Sequence, residues 1–189
     1  VGLGRPPVPL GAPAADFALY DPAHLPLAES VPGDLADIPA AGIFWNEPAR
    51  WPNSDPDRRE VLRAYYASVS FMDRQLGRLL DRLEQLGLED DTLVVFTSDH
   101  GYHLGEHTFW QKLSLHEESA RVPLIAAGPG VQTGRRGQVA ELVDLYPTLA
   151  DLAGLPIPTH CAGQSLRGVI EGSSGELRTG AYSRIAGGE

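Results

Sequence analysis

Between Asp55 and Gly87 apolar residues recur every three or four positions; a few residues later the pattern becomes an unbroken apolar run, Thr92-Leu93-Val94-Val95-Phe96-Thr97. That change of period constrains the fold more than any other feature. Val61, Leu62, Tyr65, Val69, Met72, Leu76, Leu79, Leu80, Leu83 and Leu86 lie on one helical stripe. Asp55 is a good N-cap, Pro56 suits the first helical position, and Gly87 is a C-terminal stop. The spacing predicts a helix of about thirty residues, roughly 45 Å long at 1.5 Å per residue. The β-branched run after Glu89-Asp90-Asp91 reads as a strand buried on both faces, the kind found inside a parallel sheet. Helix and strand together make one step of a doubly wound α/β fold.

At the strand's carboxyl end stand Ser98-Asp99-His100-Gly101. That edge is where open α/β sheets bind ligands, because the loops there form a crevice on a rigid base. A carboxylate and an imidazole suit several divalent metals, while calcium normally prefers oxygen shells, so the pair alone leaves the ion open. Capping and loop packing are the structural alternative for both residues. His100, His103 and His107 would share one face of a helix and suggest zinc. Gly101 and Gly105 interrupt that stretch and argue against a regular helix. His116-Glu117-Glu118 lacks the second histidine of a zincin motif, since Ala120 stands there. Lys112 is either solvated surface or a cation placed against a bound oxyanion. Phe109 and Trp110 read as packing residues. Cys161 has one adjacent histidine and no other activating partner, so it reads as a structural or incidental thiol.

A second apolar run, Val122 to Ala127, reads as another strand stopped by Gly128-Pro129-Gly130. A third is expected at Val139–Val143, then a short helix capped by Asp144 and ended near Gly154, and a last strand near Ala181–Ser183. Residues 1–52 are dense in proline, with a turn signal at Pro32-Gly33-Asp34. They read as a loop-rich segment wrapped over a body that supplies its core, 55–155 as the core, and 156–189 as a C-terminal extension. Fifteen basic against twenty-five acidic residues, a net charge of −10, argue against nucleic acid or an anionic membrane as partner. No apolar run approaches a membrane span. A single cysteine excludes an internal disulfide framework.

Tyr65-Tyr66-Ala67-Ser68-Val69-Ser70-Phe71-Met72-Asp73, Thr97 to His107, and Ala120-Arg121-Val122-Pro123-Leu124-Ile125 carry a resemblance. They resemble the sulfatase family of the alkaline-phosphatase-like superfamily. Ser98-Asp99-His100-Gly101, Leu104-Gly105-Glu106-His107 and Trp110-Gln111-Lys112 look most like the iduronate-2-sulfatase branch. Leu142 to Leu149 and Gly163-Gln164-Ser165-Leu166 match the later part of the same domain. The resemblance implies an α/β sandwich with a central, mostly parallel sheet flanked by helices, here an incomplete portion. It implies hydrolysis of a sulfate ester, on a small molecule or a glycan, through a formylglycine nucleophile held on Ca2+. Asp99 and His100 would then be metal ligands and Lys112 the catalytic, sulfate-contacting residue. An extracytoplasmic location, periplasmic, secreted or lysosome-like, goes with the family.

Two departures stand out. The two early metal-binding aspartates are absent, and Cys161 cannot be the nucleophile of the family's Cys/Ser-x-Pro-x-Arg motif, since Gly163 and Ser165 stand where the motif has proline and arginine. The expectation is a C-terminal portion of a catalytic domain, beginning at Val1 rather than Met and inactive by itself. Arg5-Pro6-Pro7-Val8-Pro9 also resembles a segment in which a histidine takes the place of Pro7. A phosphodiester or phosphonate hydrolase of the same superfamily, or a non-catalytic metal-binding remnant, are the alternatives.

Overall fold

The computed structural model describes residues 1–4, 6, 8–29, 31–43, 52, 54–172 and 175–184, excluding the side chain at 41. The expectations for Arg5 and Pro7 lie outside the described residues. In chain order the elements are α1 (Ala14–Phe17), α2 (Ala40–Ile43), α3 (Asp55–Gln85), β1 (Val94–Thr97), β2 (His103–Leu104), β3 (Trp110–Gln111), α4 (Glu117–Ala120), β4 (Leu124–Ala127), α5 (Leu145–Leu152) and α6 (Arg167–Ile170), with several 3-10 turns between them. They fall into two compact units. One holds Val1–Leu88 and His100–Arg121, the other Glu89–Asp99 and the chain from Val122 onward.

The first unit is organised by α3, whose 31 residues match the length predicted from the periodicity. Its start differs by one residue from the expectation. Ser54 is the N-cap: its hydroxyl accepts the Asp57 N–H at 3.3 Å and donates to the Asp57 carboxylate at 2.5 Å, so Asp55 is already helical. Either side chain can cap; the backbone turned one residue earlier. At the other end Gly87, at φ 63°, takes the left-handed conformation that lets Leu88 N–H reach Leu83 C=O at 3.2 Å. The predicted stripe is buried at Leu62 and its neighbour Ala67, but Leu79, Leu80 and Leu86 near the C-terminus are exposed.

Residues before α3 contain short helical turns rather than purely extended chain. Among the described residues they form no ladder of their own, and the helix supplies partners for their backbone. The Arg63 Nε donates to Phe17 C=O at 3.1 Å, and the Arg59 guanidinium donates to Leu25 C=O. Tyr20 and Ser70 hydroxyls meet at 2.6 Å. Asp16, fully buried, receives both arms of the Arg74 guanidinium, with one nitrogen at 2.7 Å from Oδ2. That pairing holds its carboxyl below the usual carboxylate range, against the opposing effect of burial.

In the second unit β1 pairs antiparallel with β4, Val94 opposite Ala127 and Thr97 opposite Leu124. Both strands lie where the apolar runs predict them. β1 is half-buried rather than buried on both faces, and its described partner runs antiparallel. A continuous apolar run carries no information on strand direction, which is settled by which backbone comes alongside. Two further expectations do not hold. Residues 139–143 form no strand, because Glu141 N–H bonds Asp144 Oδ2 at 2.8 Å and Asp144 N–H bonds Glu141 C=O at 3.0 Å, closing a local turn. Residues 181–183 form no strand either; Tyr182 N–H donates to the Glu141 carboxylate at 2.7 Å instead of to a neighbouring strand.

The predicted helix after Asp144 is present as α5, but the Asp144 side chain does not cap it. Fully buried, it turns back into the unit, where Oδ1 accepts Gln164 N–H at 2.9 Å and the Arg178 guanidinium at 2.7 Å. Gly163 sits tightly against this turn: a Cβ there would lie 2.2 Å from Val143 O.

Candidate active site

The 100–121 segment is built on a two-residue ladder, β2 against β3, with His103 opposite Gln111 and Leu104 opposite Trp110. Gly105, at φ 115°, turns the chain between them, and Glu106 folds back so that its carboxylate accepts Leu104 N–H at 2.6 Å. Three non-glycine residues here have left-handed backbone: His107 at φ 55°, Thr108 at φ 60° and Gln111 at φ 68°. Each such residue costs on the order of 1–3 kcal/mol and persists only where its surroundings hold it, a feature concentrated at functional sites. Phe109 and Trp110 are buried and supply that hold, as the packing reading predicts. Tyr102 rests against Tyr65 of α3, ring centroids 5.0 Å apart. Burial, with Tyr65 alongside, pushes its phenol up to about 12.

His100 is half-buried and Asp99 exposed. The His100 Nδ1 lies 2.8 Å from Gly101 C=O, an acceptor, so Nδ1 is the donor of that bond. Metal-binding histidines are commonly oriented in this way, by a carbonyl on the other ring nitrogen. A carboxylate at 99 and an imidazole at 100 are donor types that divalent ions accept. Among the described residues no group of three or more His, Cys, Asp or Glu side chains could hold a metal by itself.

Lys112 follows β3 directly and is exposed. Its carbonyl accepts Ser114 N–H at 2.9 Å and the Ser119 hydroxyl. The Ser119 carbonyl in turn accepts Gly101 N–H at 2.8 Å. His100 and Lys112 therefore stand on turns joined through one residue of α4, whereas Asp99 ends the strand segment of the other unit. Sequence reasoning missed Ser114 and Ser119. Neither belongs to a spaced motif, and only the folded chain reveals their partners.

As the glycines at 101 and 105 argue, no regular helix aligns His100, His103 and His107. His103 and His107 are joined by His116 rather than His100, with ring centroids 6.3 Å apart for His103–His107, 5.8 Å for His103–His116 and 4.6 Å for His107–His116. His103, fully buried, has its Nε2 2.6 Å from Ser114 Oγ, and the buried Nδ1 atoms of His103 and His116 have no hydrogen-bond partner. Burial pulls the His103 imidazole down to about 4, with Glu118 opposing and His116 and His107 adding to the shift. His107 Nδ1 lies 2.8 Å from the Asp34 carboxylate. Cys161 is half-buried, and its thiol forms no disulfide.

Residues 41–155 match the family model described as Sulfatase. A sulfatase of Formosa agariphila is 34% identical over 181 residues, 93% of this chain and 36% of the relative. Mouse (Mus musculus) iduronate 2-sulfatase is 33% identical over 200 residues, 85% of this chain and 36% of the relative. The chain belongs to the sulfatase family. A phosphonate monoester hydrolase from Silicibacter pomeroyi superposes with a TM-score of 0.81 at 32% identity, over 94% of this chain and 37% of that one. The fold is thus the α/β, alkaline-phosphatase-like fold implied by the motifs. The chain spans about a third of the length of these relatives.

Proposed function

We propose that this chain forms part of a sulfuric ester hydrolase, in which Asp99 and His100 contribute ligands to a Ca2+ ion and Lys112 contacts the sulfate group. The observation that carries this reading is the bracing of two turns: the Ser119 carbonyl accepts the N–H of Gly101, next to His100, and the Ser119 hydroxyl donates to the Lys112 carbonyl. A bound divalent ion would supply Lewis-acid stabilisation of charge on the group being transferred and on the oxygen that leaves. The Lys112 ammonium brings positive charge and three N–H donors to a sulfate oxygen. Its backbone is pre-set by two hydrogen bonds, so little reorganisation accompanies binding.

The nucleophile belongs elsewhere. Ser54-Asp55-Pro56-Asp57-Arg58 spells Ser-x-Pro-x-Arg, but Ser54 is the N-cap of α3 with its hydroxyl engaged by Asp57, so we assign a formylglycine to a part of the longer protein outside this chain, and the chain alone is expected not to turn over sulfate esters. The substrate class is a sulfated small molecule or glycan, an assignment supported by similarity to an iduronate 2-sulfatase. Among the described residues no helix is long and apolar enough to cross a membrane. An extracytoplasmic location accompanies this reading by family resemblance.

The structural likeness to a phosphonate monoester hydrolase favours one second reading, turnover of a phosphonate or phosphodiester at the same site. The full-length protein assayed in parallel on an aryl sulfate and an aryl phosphonate monoester separates the two. Faster sulfate turnover supports the first reading. A large excess of phosphonate turnover replaces it, and no turnover of either leaves the non-catalytic remnant as the better account.

A further inference from the structure

We propose that Ser119 is the positioning residue for Lys112, tying the lysine turn to the turn that follows His100; this rests on the reading of Lys112 as the sulfate-contacting group. Ser119 is 3% exposed and uses both of its polar atoms across the loop. The hydroxyl donates to Lys112 C=O, and its carbonyl accepts Gly101 N–H at 2.8 Å. A serine inside a helix commonly bonds its hydroxyl to the carbonyl four residues earlier. Here that carbonyl would be Leu115, and the hydroxyl goes to Lys112 instead.

The backbone at this point needs a restraint. Gln111 is left-handed at φ 68°, a conformation that lifts the chain out of the β2–β3 ladder immediately before Lys112. A non-glycine residue relaxes from that region unless its neighbours prevent it. Two bonds to the Lys112 carbonyl, from Ser114 N–H at 2.9 Å and from the Ser119 hydroxyl, provide the prevention. Ser114 is itself held, with Oγ at 2.6 Å from His103 Nε2 and accepting His116 N–H at 3.2 Å. On the far side the fit is close: a Cβ on Gly101 would lie 2.1 Å from Glu118 O and 3.0 Å from Arg121 O. Gly101 is therefore seated directly on α4, and Ser119 transmits that seating to Lys112. The exposed lysine side chain keeps its own rotamers, but its Cα is pinned.

The test is a double-mutant cycle in the full-length enzyme, following sulfate-ester turnover, bound metal and thermal midpoint. Ser119→Ala is expected to lower kcat about 10- to 100-fold, the scale of a small misplacement of a catalytic group, with KM changing much less and metal content unchanged. In a Lys112→Ala background the same substitution is expected to cost less than about threefold, because the group it positions is gone. Equal losses in both backgrounds would make Ser119 a general structural residue and overturn the inference. So would a Ser119→Ala enzyme with unchanged kcat. If Ser119→Ala does not fold, the cycle is run with Ser119→Cys, which keeps the size and weakens the donor. Full activity in Lys112→Ala alone would remove the reading of Lys112, and the inference with it, a result distinct from either failure of Ser119.

Discussion

The 100–121 loop and the 141–178 segment are each arranged around a fully buried polar side chain, and they treat it in opposite ways. Asp144 has both carboxylate oxygens engaged, by Gln164 N–H, Glu141 N–H and the Arg178 guanidinium. Its segment turns by ordinary geometry into α5. His103 has one partner, Ser114, and an orphaned Nδ1; Thr108 Oγ1 and His116 Nδ1 nearby are buried and also lack partners. Its loop carries three left-handed non-glycine residues. A buried group without a partner and a backbone outside its preferred regions both cost stability. The 141–178 segment spends its polar groups on holding the fold. The 100–121 loop accepts a local cost around the residues proposed to bind the ion and the sulfate.

The sharpest way to break that contrast is to separate activity from stability. Asp99→Ala in the full-length protein should reduce turnover to background with loss of bound metal. Lys112→Ala should lower kcat by about 10²- to 10³-fold, the cost of removing one preorganised charge-stabilising donor, and retain the metal. Both side chains are exposed, so thermal midpoints should barely move. Retained full turnover in either variant would contradict its assigned role.

Asp144→Ala should do the reverse. It leaves Gln164 N–H without its acceptor and the Arg178 guanidinium with Glu141 alone, a loss of about 1–3 kcal/mol for a buried donor left unsatisfied. Urea unfolding of the full-length variant measures it, and turnover per folded molecule should stay within a few-fold of the parent. A change below about 1 kcal/mol would show that the segment is not a staple.

A pH series tests the loop's side of the comparison. The His103 imidazole is pulled down to about 4 from an ordinary value of 6.5. Above pH 6.5 it is neutral in both folded and unfolded chains, and its contribution is intact. As pH falls from 6.5 toward 4 the unfolded chain takes up a proton that the folded one refuses, so stability is lost, on the order of 3 kcal/mol at 1.36 kcal/mol per pKa unit. His103→Gln, which cannot titrate, should flatten that acid limb. An unchanged limb in the variant would assign the acid sensitivity to other groups.

Much of the fold and the two ends of the candidate site were legible in the chain. A 3.6-residue period encodes a helix wherever it runs for thirty residues, so α3 needed no tertiary information. An apolar run followed by Ser98-Asp99-His100-Gly101 marks a strand end with ligand chemistry, because the residue types and their adjacency are local. Lys112 entered as a candidate through the motif around it. Sequence by itself determined those features, since each depends on residues close along the backbone.

Tertiary structure decided the rest. The direction of β1 depends on β4, whose Ala127 lies opposite Val94. Asp144 reads as a helix cap until Arg178 and Gln164 arrive to claim its carboxylate. Three histidines at helical spacing proved less informative than the loop that turns at Gly105 and brings His116 to His103, while His100 lies beside the Gly101 carbonyl. Ser119 sits in an unremarkable Glu-Glu-Ser-Ala stretch, and its link to Lys112 and Gly101 has no periodic trace. Hydrogen bonds between distant residues follow from how backbones pack, and spacing along the chain does not record that packing.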